Sequence, residues 1–236
     1  MIMNEELNLP QPKRSFYSLY FKRILDFCLS MMALICLSPL LMVICILELI
    51  YHGKPVLYKT KRPGKDGRIF NLYKFRSMTN ERDENGMLLP EEKRLTKFGL
   101  FLRRTSIDEL PGLLNILKGD MAIIGPRPLL VEYMNLYTPR HAMRHGVRPG
   151  LALARLIDKD SKTFTWREQF ENDIYYVEHV SLVVDIKMII GVFLEAVKGS
   201  EYRTNDTRVP FDGNNLDETR SKEELENIVR YDSVSK

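Results

Sequence analysis

The chain contains few cysteines, no low-complexity segment and none of the common nucleotide or hydrolase motifs. Three cysteines occur among 236 residues, and all of them lie in one apolar segment, which gives no basis for a disulfide framework or a zinc site. Glycine and proline occur at ordinary frequency and 44% of the residues are hydrophobic, which excludes collagen-like and fully disordered chains. No P-loop, GxGxxG or GxSxG pattern is present. The length therefore predicts one compact domain with short appendages.

Charge is distributed unevenly along the chain. Residues 1–80 contain 12 basic and 5 acidic side chains, whereas residues 200–236 contain 6 basic and 9 acidic ones. An anionic partner is therefore expected at the N-terminal part. Because that part adjoins a segment of membrane length, we expect membrane lipids there and no nucleic acid.

The longest apolar run covers residues 27–47 and carries no charge over 21 residues. It is long enough to span a bilayer, and too long and too late in the chain for a signal peptide. Basic clusters lie on both sides of it, so a simple span would place one cluster outside, against the positive-inside tendency. Ser38-Pro39 lies near its centre, where proline breaks or kinks a helix. We expect a re-entrant helix broken at Ser38-Pro39; a kinked full span and a buried helix of a soluble protein are the alternatives.

The remaining pattern predicts an α+β fold. Strands are expected at 55–59 and 69–75 as a hairpin, and helices at about 95–103, 107–118, 128–137, 166–178 and 181–198. The predicted organisation is a polar or interfacial leader (1–21), a re-entrant membrane helix (22–50), a compact domain with several amphipathic or interfacial helices (51–199), and a polar, mostly flexible tail (200–236).

The first stretch that could carry chemistry is RRTSIDELPGLL, which begins at Arg103. Ser106 and Glu109 have the spacing of a capping box, which predicts a helix start. The adjacent carboxylates of Asp108 and Glu109 could simply favour the positive end of that helix. Alternatively, two acidic groups beside arginines suit a divalent metal and a diphosphate.

The second stretch is Gly125-Pro-Arg127-Pro128, in which an arginine lies between two prolines. Such a backbone is restricted, which suits a preorganised phosphate contact, although a rigid turn with a solvated arginine has the same pattern. Lys74 and Arg76 form a third basic motif, for which exposed charges on a strand are the plainer explanation. His141 and His145 have helical spacing without the glutamate of a zinc protease, so we interpret them as surface or packing residues.

Several motifs follow one another in a fixed order: KRILDF, the apolar run with Ser-Pro, KFRSM, RRTSIDELPGLLNILKGDM, IGPRPLLVEY, VRPG, FENDIYYVEH and SLVVDIK. Together, over about residues 20–200, they resemble the bacterial sugar transferase family, the monotopic phosphoglycosyl transferases. Within it the chain is most similar to the small stand-alone enzymes that begin glycan assembly for protein glycosylation.

The resemblance implies transfer of a sugar-1-phosphate from a UDP-sugar, expected to be an N-acetylated amino sugar, to polyprenyl (undecaprenyl) phosphate. It implies that Asp108 is the nucleophile of a covalent phosphosugar intermediate and that Asp108 and Glu109 hold Mg²⁺. It also implies that basic side chains bind the phosphates or line their approach: Arg103, Arg127, Lys74 and Arg76. The enzyme would act at the cytoplasmic face of the bacterial inner membrane, with downstream glycosyltransferases as further partners.

The sequence departs from the family after Arg148-Pro149-Gly150. The family usually continues Ile-Thr-Gly-Trp-Ala-Gln-Val-Asn-Gly-Arg, whereas residues 151–160 of this chain are LALARLIDKD. The departure puts in question how the nucleotide or sugar is bound. The alternative function is therefore a catalytically inactive homologue at the membrane that binds glycan-assembly enzymes.

Overall fold

The computed structural model describes residues 11–153, 165–197 and 208–219. Over these residues the fold combines helices with two small sheets, as the predicted α+β class requires. Its helices and strands are α1 (Lys22–Tyr51), β1 (Leu57–Pro63), β2 (Ile69–Phe75), α2 (Glu91–Arg94), α3 (Lys97–Thr105), α4 (Gly112–Lys118), β3 (Ala122–Ile124), α5 (Pro139–Ala142), β4 (Gly150–Ala152), α6 (Trp166–His179) and α7 (Leu182–Val197). Residues 1–10 of the predicted leader, residues 154–160 of the divergent segment and residues 220–236 of the tail lie outside the described ranges.

The apolar run forms a single helix that continues through Pro39, so the predicted break at Ser38-Pro39 does not interrupt it. Proline cannot donate to the carbonyl oxygen four residues earlier, which belongs to Ile35. The Ser38 hydroxyl donates to that oxygen instead, at 2.8 Å. A serine before the proline therefore satisfies the carbonyl group that the proline leaves free, and the helix persists.

One face of α1 packs on the rest of the protein along the whole helix. Buried and half-buried positions recur every three or four residues from Asp26 through Leu37 and Leu41 to Glu48. The N-terminal half packs on Leu72, Leu113, Ile116 and Met121, and the C-terminal half packs on Phe75 and Leu102. The opposite face exposes large apolar side chains, and the helical stretch Tyr17–Tyr51 is long and apolar enough to cross a membrane.

Polar contacts fix both ends of α1 to the same body. At the N-terminal end, Arg23 donates to the carbonyl oxygens of Ile116 (2.6 Å) and Leu117 (2.7 Å) at the end of α4. At the C-terminal end, the buried His52 ring contacts Glu48 at 3.0 Å and the Thr96 hydroxyl, which caps α3, at 2.8 Å. The orientation of α1 relative to α3 and α4 is therefore set by buried hydrogen bonds as well as by apolar packing.

The predicted β-hairpin is confirmed. Strands β1 and β2 pair antiparallel, with Leu57 opposite Phe75 and Arg62 opposite Phe70. The second sheet, a parallel pair of β3 and β4, was not predicted because each strand has three residues, too few for a periodic pattern. At its end Gly125 and Gly150 are in close contact: a Cβ at Gly150 would lie 2.1 Å from the Gly125 nitrogen.

The predicted helix over 107–118 is divided. Ser106 has a left-handed backbone (φ 55°) that ends α3, and a single 3₁₀ turn, Ile107–Glu109, precedes α4. The predicted capping box is not formed, because the Ser106 side chain does not cap this turn and the Glu109 side chain binds other residues. Residues 128–137 contain a 3₁₀ segment, Val131–Leu136, in place of the predicted helix.

Part of the predicted flexible tail packs on the domain. Residues 208–219 include Phe211, which is 4% exposed and lies in a cluster with Leu129, Trp166 and Phe170. The Trp166 indole donates to the Val209 carbonyl oxygen at 2.8 Å. This segment therefore belongs to the structure of the domain, in which it covers the start of α6.

Candidate active site

Three separate segments bring the predicted site residues together. Lys74 extends from β2, Asp108 and Glu109 form the turn before α4, and Arg127 lies three residues after the end of β3. Lys74, Glu109 and Arg127 line a cleft together with Arg62, Leu72, Tyr73, Met121, Pro128, Gly150 and Leu151, and Asp108 precedes Glu109 in the turn at its edge. Leu151 begins the stretch that departs from the family sequence, so the departure does reach the cleft.

Glu109 connects two of the predicted phosphate-binding residues. Its Oε1 accepts hydrogen bonds from Lys74 Nζ and from Arg127 Nη2, both at 2.8 Å. Burial alone would raise the pKa of Glu109, but Arg127 and Lys74 outweigh it and lower that pKa to about 2. Glu109 therefore stays ionised and holds both cations at the edge of the cleft.

Asp108 has the opposite environment. Among the described residues its carboxylate has no hydrogen bond and no ion pair, although it is half-buried. Burial, and then the charge of Glu109, raise the pKa of Asp108, whereas nearby Lys74, Arg103 and Arg127 act against that rise. A carboxylate that is poorly solvated and unpaired is the better nucleophile of the two.

The two remaining basic candidates occupy different places. Arg103 lies beside the site, since its charge lowers the pKa of Asp108, and its Nε donates to the Ser77 hydroxyl at 2.8 Å. A Cβ at Gly99 would lie 1.9 Å from the Ser77 carbonyl oxygen, so glycine allows α3 to approach this closely. Arg76 is buried instead, and it donates to the carbonyl oxygen of His52 at 2.8 Å. These contacts are those of a residue that supports the end of α1.

Two supporting residues were missed by the sequence reasoning. Asn115 is fully buried in α4; it accepts from the Tyr73 backbone N–H at 3.0 Å and donates to the Asn71 carbonyl oxygen at 2.7 Å. It thereby fixes the helix behind Glu109 against the strand that carries Lys74. A lone amide in the apolar sequence LLNIL was the signal that could have indicated it.

Arg144 supports the segment of Arg127. Its Nη2 donates to the Arg127 carbonyl oxygen at 2.7 Å, and the same guanidinium pairs with the buried Asp173. Because the carbonyl group of Arg127 is fixed in this way, its side chain extends from a defined backbone position. No local pattern indicates this contact, because its two residues are 17 positions apart in the chain.

The two histidines pack inside the domain. Of the two roles predicted for them, surface or packing, the structure confirms packing. His141 stacks on Phe170, with ring centroids 4.3 Å apart. His145 has a buried Nε2 without a partner among the described residues. Burial, and then the charge of Arg144, lower the pKa of His145 to about 4. We therefore interpret both as neutral packing residues near pH 7.

The environment of His145 predicts acid sensitivity of the fold. In the unfolded chain this histidine takes up a proton near pH 6.5, and in the folded protein near pH 4. Between these values the unfolded state binds more protons, so the free energy of unfolding decreases as the pH falls from 6.5 to 4. We expect His145→Gln to lessen this decrease, measured as unfolding midpoint against pH, while the exposed His179→Gln serves as control. Equal pH profiles for both variants and the wild type would contradict the assignment.

The donor set of the two carboxylates fits Mg²⁺. Among the described residues, no protein group forms a hydrogen bond or ion pair with the carboxylate oxygens of Asp108 or with the Oε2 of Glu109. All three atoms are hard oxygen donors. No group of three or more His, Cys, Asp or Glu side chains suited to a metal occurs in these residues. Mg²⁺ is commonly bound by one or two carboxylates together with substrate phosphates, and this pair has that composition.

Comparisons with known proteins agree on one family. Residues 17–199 match the family model described as bacterial sugar transferase. An uncharacterized sugar transferase, EpsL of Bacillus subtilis, is 45% identical over 168 residues, which are 71% of this chain and 83% of that protein. A UDP-glucose:undecaprenyl-phosphate glucose-1-phosphate transferase of Klebsiella pneumoniae is 35% identical over 77% of this chain and 40% of its own length.

A third relative is named for an amino sugar. It is the UDP-N-acetylgalactosamine-undecaprenyl-phosphate N-acetylgalactosaminephosphotransferase of Aeromonas hydrophila, 34% identical over 81% of this chain. The match covers 46% of that protein. The two relatives with a named reaction are thus much longer than the matched region, whereas EpsL is matched over most of its length.

Proposed function

Because the chain belongs to the bacterial sugar transferase family, we propose that it transfers a sugar-1-phosphate from a UDP-sugar to undecaprenyl phosphate and releases UMP. The observation that carries the proposal is the pair of unlike carboxylates. Asp108 is unpaired with a raised pKa, and Glu109 is ionised between Lys74 and Arg127. The reaction named for the relatives from Klebsiella and Aeromonas supports the same chemistry.

In the first step an Asp108 carboxylate oxygen attacks the sugar-bearing phosphorus of the donor. A phosphorus–oxygen bond forms to Asp108, the bond to the bridging diphosphate oxygen breaks, and UMP leaves with the electron pair. In the second step a phosphate oxygen of undecaprenyl phosphate attacks the same phosphorus and releases the Asp108 carboxylate. The charge balances in both steps without a proton donor. This suits the site, because the described side chains near the two carboxylates are cations.

The cations bind and orient the phosphates. Arg127 and Lys74 are already held at the cleft by Glu109, so little ordering remains when the donor enters. Arg103 lies close enough to influence the charge of Asp108 and would help to neutralise the developing negative charge. Mg²⁺ bound by Asp108 and Glu109 would supply neutralisation of the diphosphate and of departing UMP.

The decisive experiment measures UMP release by the purified full-length protein. The assay contains Mg²⁺, undecaprenyl phosphate and one of a panel of UDP-sugars. Turnover with any donor is the expected result and excludes the inactive-homologue alternative. Absence of turnover with every donor, from protein that is folded and membrane-bound, would contradict the proposed function.

The donor sugar and the pathway form the finer part of the proposal. An N-acetylated amino sugar is supported by the Aeromonas relative, and the Klebsiella relative is named for glucose. The undecaprenyl diphosphate-sugar would be the first membrane-bound intermediate of a glycan that further glycosyltransferases extend. A Rhizobium leguminosarum relative named for exopolysaccharide production, matched over 99% of its length, favours surface polysaccharide over protein glycosylation as the product.

For the membrane we propose that both ends of α1 lie on the cytoplasmic side. The 30-residue helix is about 45 Å long, so in a simple span one end would lie on the far side of the ~30 Å hydrocarbon layer. Yet Arg23 at one end and His52 at the other bind the same polar domain, which also flanks the middle of the helix. A span would carry that domain into hydrocarbon. An unbroken helix that bends at Pro39, and so enters and leaves through one leaflet, leaves the domain in water.

Cysteine labelling tests this topology. In a background without Cys28, Cys36 and Cys45, single cysteines replace the exposed Lys13 and Lys65, which lie before and after α1. We expect a membrane-impermeant maleimide to label both from the cytoplasmic side in inverted vesicles, and neither in intact spheroplasts. Labelling of the two positions from opposite sides would contradict the proposal.

The fixed position of Arg127 leads to a kinetic prediction. Arg127→Lys keeps the charge but cannot reproduce the planar two-donor geometry that a phosphate accepts. Loss of one charge-assisted hydrogen bond, roughly 1.5–3 kcal/mol, lowers kcat/KM about 10- to 150-fold. The matched control is Arg140→Lys, since Arg140 is exposed and forms a surface ion pair with Glu171. Equal small effects of both variants would make Arg127 a surface residue.

A further inference from the structure

The β1–β2 hairpin contributes to the cleft an arginine that the motifs did not indicate. Arg62 is half-buried opposite Phe70 and lines the cleft together with Lys74, Glu109 and Arg127. Its Nε is buried and has no hydrogen-bond partner in the part of the chain that the structure describes. Among the described residues no carboxylate forms an ion pair with it.

Other arginines that enter the interior are satisfied by the protein. Four of them donate to backbone carbonyl oxygens at 2.6 to 2.9 Å: Arg23, Arg76, Arg144 and Arg148. Arg62 differs because its buried nitrogen faces no acceptor. Buried donors in folded proteins are nearly always paired, and of the buried atoms without a partner in the described residues this one belongs to a residue that lines the cleft, where a ligand could supply the acceptor.

The charges around Arg62 point to an anion. Glu109, the carboxylate of the cleft lining, is already shared by Lys74 and Arg127. Burial, and then repulsion from Arg127, lower the pKa of Arg62, whereas Glu132 acts against this from beyond ion-pair distance. Three cations therefore face one carboxylate, and an anion between Arg62 and Arg127 would relieve their repulsion.

The backbone at Arg62 is held in place. Pro63 and Gly64, which follow it, are buried, and the Gly64 N–H donates to the Arg68 carbonyl oxygen at 2.7 Å. A Cβ at Gly64 would lie 3.2 Å from the Phe70 ring, so the hairpin is tightly packed here. The guanidinium is thus presented from a rigid position, which lowers the entropy cost of binding.

We propose that Arg62 is a further substrate-binding residue, which donates hydrogen bonds to phosphate oxygens of the ligand in the cleft. The identity of that ligand rests on the proposed function: the oxygens belong to the diphosphate of the UDP-sugar or to the phosphate of undecaprenyl phosphate. Both present the same acceptor chemistry to a planar guanidinium. The experiment therefore has one arm for each source.

The test compares Arg62→Gln and Arg62→Lys with Arg68→Gln, an exposed arginine of the same hairpin. Three quantities are measured: the thermal unfolding midpoint, the Kd for UDP, and the KM for undecaprenyl phosphate. We expect Arg62→Gln to unfold at the wild-type temperature or above it, because it removes an unpaired, half-buried charge. We also expect one of the two constants to rise about 10- to 150-fold, with a smaller rise for Arg62→Lys.

The pattern of changes distinguishes the two sources of the phosphate, UDP-sugar and undecaprenyl phosphate. It also separates ligand binding by Arg62 from a structural role. A weaker Kd for UDP assigns Arg62 to the donor, and a higher KM for undecaprenyl phosphate with unchanged UDP binding assigns it to the acceptor. Both constants unchanged would overturn the inference, whatever the midpoint. If the proposed function failed, the wild type would show no turnover. The Kd for UDP would then be the measurement that decides the role of Arg62.

Discussion

Replacing Asp108 by asparagine is expected to abolish UMP release without weakening the fold. The amide has nearly the shape of the carboxylate, yet it cannot form the bond to phosphorus. Removal of a catalytic nucleophile lowers turnover by at least about 10⁴-fold in well-studied enzymes. The raised pKa of Asp108 means that its ionised form is disfavoured in the folded state, so a neutral side chain should leave the unfolding midpoint unchanged or raise it.

The measurement is UMP release together with the thermal unfolding midpoint of the same preparation. Asp66→Asn is the matched control: Asp66 is exposed in the hairpin loop with a left-handed backbone (φ 56°) that asparagine tolerates. Wild-type turnover by Asp108→Asn would remove the residue from its role. A loss of activity accompanied by a lower midpoint would show that folding, and not chemistry, was affected.

The largest expected effect on stability comes from the buried pair of Arg144 and Asp173. Their side chains are 2% and 0% exposed, with Arg144 Nη2 2.7 Å from Asp173 Oδ2. Arg144→Met would leave the Asp173 carboxylate buried without its cation, which typically costs about 3–5 kcal/mol. It would also free the carbonyl group of Arg127, so we expect a lower kcat/KM in whatever protein remains folded.

Arg140→Met provides the control, because its ion pair with Glu171 is exposed and such pairs contribute about 0–1 kcal/mol. Unfolding midpoints of the two variants are compared under one set of conditions. The double variant Arg144→Met with Asp173→Leu should recover part of the loss, since no orphan charge remains. Similar small shifts for Arg144→Met and Arg140→Met would contradict the importance of the buried pair.

Local signals in the sequence predicted part of this fold and site correctly. The uncharged apolar run produced α1, and the alternation around Arg62-Pro63-Gly64 produced the hairpin, because both depend on residues near one another in the chain. The Asp108-Glu109 pair and Arg127 were conspicuous as charges among turn residues, and the structure brings Glu109 and Arg127 to one cleft, with Asp108 in the turn of Glu109.

What could not be predicted depends on contacts between distant segments. In α1 one serine hydroxyl pairs with the carbonyl group that Pro39 leaves free, and the buried Arg76 donates to a carbonyl group at the end of that helix. The Ser106–Glu109 capping box does not form, because Ser106 has a left-handed backbone and the Glu109 side chain accepts from the distant Lys74 and Arg127 instead. No sequence motif indicates Arg62, because its significance lies in a buried Nε that has no partner among the described residues.

The central claim is that Asp108 carries the phosphosugar between donor and acceptor, and intact-protein mass spectrometry tests it most directly. The wild type is incubated with Mg²⁺ and its preferred UDP-sugar in the absence of undecaprenyl phosphate, then acidified rapidly. The account predicts a species heavier by one sugar-phosphate group, located on the peptide that contains Asp108, absent from Asp108→Asn and discharged when undecaprenyl phosphate is added. An active wild type that never gains this mass, or gains it on another residue, would contradict the account.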